Sequence, residues 1–470
     1  MFGQSLQICL CVYAMKRKAM DGQVADNFIK FGVSFPSGQC ETVAVSQFGS
    51  VAELKKTAQQ ALGRRFLRLA APDGRLFDPQ DSLQRSGLQD GDSLTAVAQQ
   101  PKVAATWSAF ALWCVGADRV VTWGNPPCGG DSSSIQHYLR NVQQVCGKGN
   151  VFAAILADGN VVTWGVRLSG GDSSRVQHQL RNVQRICCTY SAFAAILADG
   201  RVVTWGDPGY GGDSSKVQHQ LRNVQRICSS GNAFAAILAD GTVVTWGSPD
   251  HGGDSSRVKH QLNNVQQIYG TRGAFAAILA DGSVVTWGYP DHGGDSSRVQ
   301  HRLRNVQQIC GTHSAFAAIL ADESVVTWGS PDHGGDSSRV QHLLKNVEQI
   351  CGGGNAFAAI LANGNVVTWG NPDFGGDSSR VQHQLRNVER ISCTYEAFAA
   401  ILADGNVVTW GVPLSGGDSS RVQHQLRNVH QICGTYRAFA AILADGTVVT
   451  WGNPDRGGDS SKVQYQLDYI

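Results

Sequence analysis

Ala438-Phe-Ala-Ala-Ile-Leu-Ala-Asp-Gly-Thr-Val-Val-Thr-Trp-Gly452 is the stretch that decides the fold of most of this chain. Residues 438–444 predict a strand that is apolar on both faces, and such a strand has to be covered on both faces. Asp445-Gly446 is a tight-turn signal, and residues 448–451 predict the next strand. The segment therefore predicts a β-hairpin that cannot leave either face of its first strand in water.

The same hairpin recurs along the chain. Its Thr-Trp-Gly element repeats every 41 residues, with tryptophans at Trp123, Trp164, Trp205, Trp246, Trp287, Trp328, Trp369, Trp410 and Trp451. Each unit adds a short strand before the hairpin, residues 429–432 in the last unit, and a return segment in which Ser460-Ser461 can cap a helical turn. Because one unit cannot bury its own central strand, neighbouring units have to cover it.

The repeat unit resembles the blade of RCC1-like β-propellers. The resemblance rests on Ala444-Asp-Gly-x-Val-Val-Thr-Trp-Gly452 and on Asn428-Val-x-x-Ile432. It implies a mainly β fold, an RCC1-like β-propeller or β-solenoid of nine 41-residue repeats over residues 103–470. Propellers generally have about four to eight blades. A nine-bladed ring, a slightly opened spiral and a flat β-solenoid are therefore all compatible with the sequence.

Residues 28–98 contain no repeat and predict a small α+β domain. Alternating apolar residues on either side of Pro36-Ser37-Gly38 predict a β-hairpin. Ser50 and Glu53 form a capping box that begins a helix. Gly63 ends this helix. The predicted apolar face of the helix consists of Val51, Leu54, Ala58, Ala61 and Leu62.

This N-terminal region resembles the ubiquitin-like β-grasp fold. The resemblance rests on the segment from Asp73 to Leu83 and on the segment from Gly87 to Leu94. The chain continues past the last predicted strand, so the resemblance implies a built-in docking domain rather than a conjugated tag. The apolar recognition patch of that family would fall on Leu69 or Ala70. The predicted domains are a disordered leader (1–27), the ubiquitin-like domain (28–98), a linker (99–102) and the repeats (103–470).

The composition excludes several classes of protein. The chain has 470 residues, of which 42% are hydrophobic and 16% charged, with a formal net charge of +2. This hydrophobic content excludes wholesale disorder, and no apolar run approaches the roughly 18 residues of a membrane span. The near-neutral charge disfavours nucleic acid as a partner. We therefore predict a cytoplasmic protein, with the nucleus as the alternative, and no membrane association.

Two stretches vary between units, and both are predicted to lie on one face. One stretch follows Trp-Gly and the other lies between the first and second strands, so the strand directions bring them to the same end of the unit. Aromatic residues and Arg, the types that anchor protein interfaces, are frequent there. The candidate partner-binding residues are Tyr190, Tyr210, His251, Arg272, His292, His313, His333, Phe374, Tyr395, Tyr436 and Arg437. The alternative is neutral drift in exposed loops of duplicated units.

Three further series of repeated residues have structural interpretations. The first runs from His137 to His424 and ends in Tyr465, so a metal site is disfavoured. The second is the Gly-Gly-Asp-Ser-Ser loop, which offers one carboxylate per unit, whereas a calcium loop needs several oxygen ligands. The third, basic, series is balanced by acids. Cysteines recur at one repeat position that also accepts Tyr269 and Ser392, so they predict half-buried thiols and no metal ligands.

The residues point to a binding function and to no catalytic constellation. We predict a non-catalytic protein-interaction scaffold without a cofactor. In it the loop face binds one protein and the ubiquitin-like domain docks a second, with ubiquitin-pathway components among the candidates. The first alternative is a fragment or substrate-recognition subunit of a HERC-type ubiquitin ligase, whose catalytic domain would have to lie elsewhere. The weaker alternative is a guanine-nucleotide exchange or chromatin-binding RCC1-like protein.

Overall fold

The computed structural model describes residues 27–79, 81–116 and 119–467. The predicted leader lies outside the described residues, apart from its last position. The chain divides into two compact domains between Gln99 and Gln100. We call them the N-terminal domain and the repeat domain.

The N-terminal domain is a four-stranded sheet with one long helix. Its elements are β1 (Phe28–Ser34), β2 (Cys40–Ser46), α1 (Val51–Leu62), β3 (Leu67–Ala70), α2 (Leu83–Ser86) and β4 (Ser93–Ala98). The strand order is β2-β1-β4-β3. Strands β1 and β4 are parallel, whereas the β1–β2 and β3–β4 pairs are antiparallel.

Helix α1 begins and ends as predicted. The Ser50 side chain accepts from the backbone N–H of Glu53, and the Glu53 carboxylate accepts from the backbone N–H of Ser50. Gly63 caps the other end in a left-handed conformation with φ of 63°. One residue of the predicted apolar face is wrong, because Ala61 is exposed and Gln59 is buried. Gln59 stays inside because its side-chain amide donates to the backbone carbonyl of Arg65.

The two positions considered for an apolar recognition patch are both buried. Leu69 is 2% exposed and Ala70 is 4% exposed. Leu69 belongs to the core of the domain, together with Phe31 and Leu54. Neither residue is therefore available to a partner on the folded surface.

The repeat domain consists of nine three-stranded antiparallel sheets in the described part of the chain. We number them as units 1 to 9. The first strands are β5 (Pro101–Ala105), β8 (Val142–Lys148), β11 (Val183–Cys188), β14 (Val224–Ser229), β17 (Val265–Gly270), β20 (Val306–Gly311), β23 (Val347–Gly352), β26 (Val388–Cys393) and β29 (Val429–Gly434). The second strands are β6 (Ala109–Cys114), β9 (Val151–Leu156), β12 (Ala192–Leu197), β15 (Ala233–Leu238), β18 (Ala274–Leu279), β21 (Ala315–Leu320), β24 (Ala356–Leu361), β27 (Ala397–Leu402) and β30 (Ala438–Leu443).

The third strand of each unit leads into a one-turn 3₁₀ helix. The third strands are β7 (Val121–Gly124), β10 (Val161–Gly165), β13 (Val202–Gly206), β16 (Val243–Gly247), β19 (Val284–Gly288), β22 (Val325–Gly329), β25 (Val366–Gly370), β28 (Val407–Gly411) and β31 (Val448–Gly452). The 3₁₀ helices that follow are Pro126–Cys128, Arg167–Ser169, Pro208–Tyr210, Pro249–His251, Pro290–His292, Pro331–His333, Pro372–Phe374, Pro413–Ser415 and Pro454–Arg456. We call these nine segments the exit turns.

The return segments contain further short helices, which the sequence predicted as a helical or irregular return. They are Ser133–Tyr138, Gln177–Gln179, Lys259–Gln261, Gln300–Arg302, Gln341–Leu343, Gln423–Gln425 and Ser461–Val463, all 3₁₀, and α3 (Gln464–Leu467). Each return except that of the last unit ends at an Asn with a left-handed backbone, such as Asn264 with φ of 55°. Asn tolerates this conformation better than most residues.

The central strand of each unit is packed between neighbouring sheets, as its two apolar faces predicted. Ala235 and Ile237 of unit 4 lie in one core cluster with Phe275 and Ala277 of unit 5. Ala277 is 0% exposed. Because Ala carries a single methyl group, the sheets approach closely, and one unit covers what its neighbour cannot bury.

Tryptophan joins each unit to the preceding one. The indole N–H of Trp287 in unit 5 donates to the carbonyl of Gly252 in unit 4 at 3.0 Å. Gly252 has φ of 92°. A Cβ on Gly252 would lie 2.5 Å from the ring of Phe275, which itself stacks on Trp287 with centroids 5.1 Å apart. Glycine is required here both for the backbone conformation and for space.

The last unit makes the same junction with the first, so the nine sheets close into a ring. The indole N–H of Trp123 in unit 1 donates to the carbonyl of Gly457 in unit 9 at 3.1 Å. A Cβ on Gly457 would lie 2.7 Å from the ring of Phe110. Each first strand also contacts the first strand of the next unit, and β29 contacts β5. The first strands therefore surround the axis of the ring.

Candidate functional site

The two variable stretches of each unit lie side by side on one face, as the strand directions predicted. In unit 5 the Thr271 hydroxyl donates to the carbonyl of His292 at 2.8 Å, which joins the loop after the first strand to the exit turn. In unit 6 Thr312 bonds the carbonyl of His333 in the same way at 2.9 Å. We call this surface the loop face. The Asp-Gly turns lie at the opposite ends of the hairpins.

One residue of each unit belongs to a backbone ring around the axis, and we call this the axial position. Its nine residues are Trp107, Gly149, Tyr190, Gly231, Arg272, His313, Gly354, Tyr395 and Tyr436. The backbone N–H of Arg272 donates to the carbonyl of His313 at 3.0 Å. Seven such bonds link successive units, and an eighth, from Tyr436 to Trp107 at 3.0 Å, crosses from unit 9 to unit 1. The loops at the axis are thereby held in register by backbone contacts.

Eight of the nine axial residues, all except Gly231, line a cavity of about 320 Å³ on the loop face. Four aromatic side chains stand around it in two neighbouring pairs. The rings of Tyr395 and Tyr436 are stacked with centroids 4.4 Å apart. Those of Trp107 and Tyr190 are tilted, with centroids 4.8 Å apart. Such pairs give a pocket rigid apolar walls with polar hydroxyl edges.

Glycines at the axial position give the tyrosine rings their room. A Cβ on Gly354 would lie 2.5 Å from the ring of Tyr395. A Cβ on Gly231 would lie 2.7 Å from the ring of Tyr190. Each tyrosine therefore lies against the bare backbone of a neighbouring unit. This contact with the backbone restricts the ring orientation of Tyr190 and Tyr395.

The charges that line the axial cavity are positive. Lys148 lies over the ring of Tyr190 at 5.5 Å and donates to the Ser229 hydroxyl at 3.1 Å. Arg272 is exposed, and its guanidinium group has no hydrogen-bond or carboxylate partner among the described residues. No Asp or Glu lines the cavity in the described part of the chain. The site is therefore suited to an anionic group.

Four of the predicted histidines form one cluster beside Arg272. Ring centroids are 6.5 Å apart for His251 and His292, 6.1 Å for His292 and His313, and 5.8 Å for His313 and His333. Burial, followed by the positive charge of Arg272 and the two neighbouring imidazoles, lowers the pKa of His313 to about 4. Burial also lowers the pKa values of the other three. The cluster is therefore neutral at physiological pH.

The other predicted partner-binding residues, Arg437, Tyr210 and Phe374, do not line the axial cavity. Arg437 pairs with the carboxylate of Glu396 at 3.1 Å, and Glu396 also accepts from the Ser415 hydroxyl at 2.6 Å. This pair joins units 8 and 9. Tyr210 packs partly on the core cluster between units 3 and 4. Phe374 is half-buried in its exit turn.

Sequence reasoning missed Trp107 and Lys148. Both lie in irregular parts of the repeat. Unit 1 carries one extra residue, so Trp107 stands 42 residues before Gly149 instead of 41. In unit 2, β8 runs to Lys148 and turns directly at Gly149 and Asn150, so a lysine comes to the axis. Counting the loops back from the regular units with an allowance for one insertion would have found Trp107.

The other repeated residues keep structural roles. Asp172 of the Gly-Gly-Asp-Ser-Ser loop accepts from the backbone N–H of Ser174 at 2.9 Å. This contact, together with hydrogen bonds from the Ser174 hydroxyl and from Arg167, lowers the pKa of that carboxyl to about 2. His178 of the histidine series is exposed. Burial raises the pKa values of Cys187 and Cys310 to about 12, so both thiols stay protonated and unreactive.

Among the described residues, no group of three or more His, Cys, Asp or Glu side chains is placed to hold a metal ion. In the same part of the chain, no helix is both long enough and apolar enough to cross a lipid bilayer.

Comparisons with known proteins concern the fold alone. No family model matches this chain, and no curated protein matches it. Prp20p from Saccharomyces cerevisiae is 14% identical, with 74% of this chain and 94% of Prp20p covered and a TM-score of 0.38. The computationally designed protein Ika8 is 17% identical, with 66% and 96% covered and a TM-score of 0.34. A de novo design based on ubiquitin is 20% identical, with 16% and 92% covered and a TM-score of 0.15.

Proposed function

We propose that the repeat domain is an RCC1-like interaction scaffold without catalytic activity, and that its loop face binds a protein partner. The observation that carries the proposal is the axial position. The second strand has the same six residues, Ala-Phe-Ala-Ala-Ile-Leu, in each of units 3 to 9, yet the axial position holds four aromatic residues, one Arg, one His and three Gly across the nine units. Nine near-identical units thus surround an asymmetric centre.

The differences between units at the axial position support binding of a partner rather than neutral drift of exposed loops. The aromatic rings are not scattered, since they form two contacting pairs at one cavity. Tyr and Trp supply large, rigid contact area and dominate the energetics of many interfaces. Neutral drift in exposed loops does not predict that the changed residues pack against one another around the axis.

We further propose that the N-terminal domain docks a second protein, as its ubiquitin-like resemblance implies. With Leu69 and Ala70 buried, the docking surface has to use other residues. The exposed large apolar side chains in the described part of this domain are Phe28, Phe48, Leu76 and Val97, and Phe28 and Phe48 are the most exposed, at 64% and 68%. Single exposed apolar residues are common, so these two define positions to vary rather than a site.

The test of the loop face is a quantitative affinity capture with the full chain. The double variant Tyr395→Ala and Tyr436→Ala removes one stacked pair, and Arg201→Ala is the control at an Asp-Gly turn on the opposite end of a hairpin. A partner lost with the double variant and retained with the control supports the proposal, provided that both variants keep the parental melting temperature. Equal recovery of every partner by both variants overturns it.

A further inference from the structure

The axial cavity combines aromatic walls with uncompensated positive charge. Its lining includes Trp107, Tyr190, Tyr395 and Tyr436 around Arg272, and no described lining residue is acidic. An Arg that faces a concave, partly apolar site is the residue best suited to bind a carboxylate through two parallel hydrogen bonds. The composition of the lining therefore selects for a negatively charged occupant.

The two cations of the cavity differ in their availability. Lys148 already donates to the Ser229 hydroxyl at 3.1 Å and to the carbonyl of Ser230 at 3.2 Å. Its charge contributes to the potential, but two of its three donors are engaged within the ring. The guanidinium of Arg272 has no such partner among the described residues, and its field reaches the neighbouring His251, His292 and His313. Arg272 is thus the group left free to bind.

The surroundings of the cavity limit the size of the anion. The exit turns lie farther from the axis than the axial loops, because they follow the outermost strand of each sheet. Several of them carry an exposed Asp, at Asp250, Asp291, Asp332, Asp373 and Asp455. Two exit turns carry an arginine, Arg167 and Arg456, so carboxylates outnumber guanidinium groups on this rim. The rim therefore disfavours a long acidic tract, whereas a single anionic side chain at the centre is attracted by Arg272 and Lys148.

We propose that the axial cavity holds the carboxylate of a single Glu or Asp anchor of the partner protein, flanked by apolar and by neutral or basic residues. This inference rests on the proposed function of the loop face. A volume of about 320 Å³ is small for a ligand site and suits one or two side chains. The carboxylate pairs with Arg272, and the flanking apolar side chain lies against the tyrosine rings.

The experiment uses the full chain and three matched probes, N-acetyl-Phe-Glu-amide, N-acetyl-Phe-Gln-amide and N-acetyl-Phe-Lys-amide, with binding measured by NMR titration at physiological ionic strength. We expect the Glu probe to bind about ten-fold or more tightly than the Gln probe, the size typical of a hydrogen bond to a charged group. Arg272→Gln should abolish this preference. Arg257→Gln, at another exposed arginine that does not line the cavity, should leave it unchanged.

Several outcomes would overturn the inference. They are equal binding of the Glu and Gln probes, tighter binding of the Lys probe, a preference that survives Arg272→Gln, or binding of inorganic phosphate in place of any Glu preference. The failure of this inference is distinct from the failure of the proposed function. If the Tyr395 and Tyr436 variants lose the partner while no probe shows a carboxylate preference, the proposed function of the loop face is supported and the inference of an acidic anchor is wrong. If the carboxylate preference is found but capture is unaltered, the axial cavity binds a carboxylate and the proposed function of the loop face is wrong.

Discussion

Glu323 occupies a left-handed backbone conformation that glycine occupies at the equivalent position of every other unit from 2 to 9. It has φ of 62° in the turn between β21 and β22, where unit 5 has Gly282 with φ of 76°. A Cβ on Gly282 would lie 2.9 Å from the Cα of Asn305 in the following segment. The turns are otherwise matched, since Asp281-Gly-Ser283 corresponds to Asp322-Glu-Ser324. Unit 6 therefore carries a non-glycine residue in a left-handed conformation at a turn where the other units have glycine.

We predict that Glu323→Gly stabilises the protein. The change removes the cost of a left-handed non-glycine residue, about 1–2 kcal/mol, and adds the backbone entropy cost of glycine, about 0.5–1 kcal/mol. The expected net gain is up to about 1 kcal/mol, measured by denaturant unfolding. Gly282→Glu is the matched reverse variant and should destabilise. A lower unfolding midpoint for Glu323→Gly would contradict this account of the turn.

His313 should make the protein sensitive to mild acid. Its pKa is lowered to about 4 in the folded chain, whereas an unfolded His has a pKa of about 6.5. Between these values the unfolded state binds more protons, so stability is fully present above about pH 6.5 and falls as the pH decreases towards 4. His313→Asn should reduce this loss in melting temperature between pH 7 and pH 5. His178→Asn, at an exposed histidine, should not, and equal pH profiles for all three proteins would contradict the prediction.

The loop residues mark the limit of what the sequence could predict at this scale. Strand directions predicted that the two variable stretches share a face, because an antiparallel hairpin returns the chain to the end from which it started. They could not predict that Arg272 and His313 lie at the axis while Tyr210 packs into a core cluster. Which loop residue turns inward depends on backbone bonds between units, and these have no local sequence signal.

Among the elements, the second strand of each unit carries the packing. The sequence predicted that this strand is covered on both faces, because both of its faces are apolar. In the structure, Ala235 and Ala277 of neighbouring units lie in one core cluster. The return segments were less predictable. They are brief 3₁₀ turns with few apolar positions, and single residues such as the buried Leu303 hold them to the sheet.

Ala277→Trp should separate two sheets. The side chain at this position is fully buried against unit 4, and inserting large groups into a well-packed core costs about 1–3 kcal/mol or more. We expect a clear fall in melting temperature together with faster hydrogen exchange in β15 and β18. Arg201→Trp introduces the same side chain at an exposed turn and should have little effect. An unaltered melt for Ala277→Trp would mean that the strand is not sandwiched.

At the scale of the whole repeat domain, closure depends on contacts between residues that are far apart in sequence. The period of 41 residues predicted repeated sheets but left ring, spiral and solenoid open, because it encodes only the contacts of each unit with its neighbour. The small rotation between units decides closure. In the structure the bond from Trp123 to Gly457 spans 334 residues and repeats the bond from Trp287 to Gly252, which spans 35. The closing junction is thus equivalent to the others.

Because the closing junction is equivalent to the internal ones, ring closure can be tested by comparing the stabilities of matched variants at the two kinds of junction. Gly457 and Gly293 have φ of 95° and 92°. A Cβ would lie 2.7 Å from Phe110 at the closing junction and 2.6 Å from Phe316 at an internal one. In a closed ring Gly457→Ala and Gly293→Ala should each cost about 1–3 kcal/mol, since both combine overpacking with an unfavourable backbone conformation. In an open array no Phe110 ring would face Gly457, so only the backbone cost would remain. Unequal unfolding free energies, with Gly457→Ala the milder variant, would therefore exclude the ring in solution.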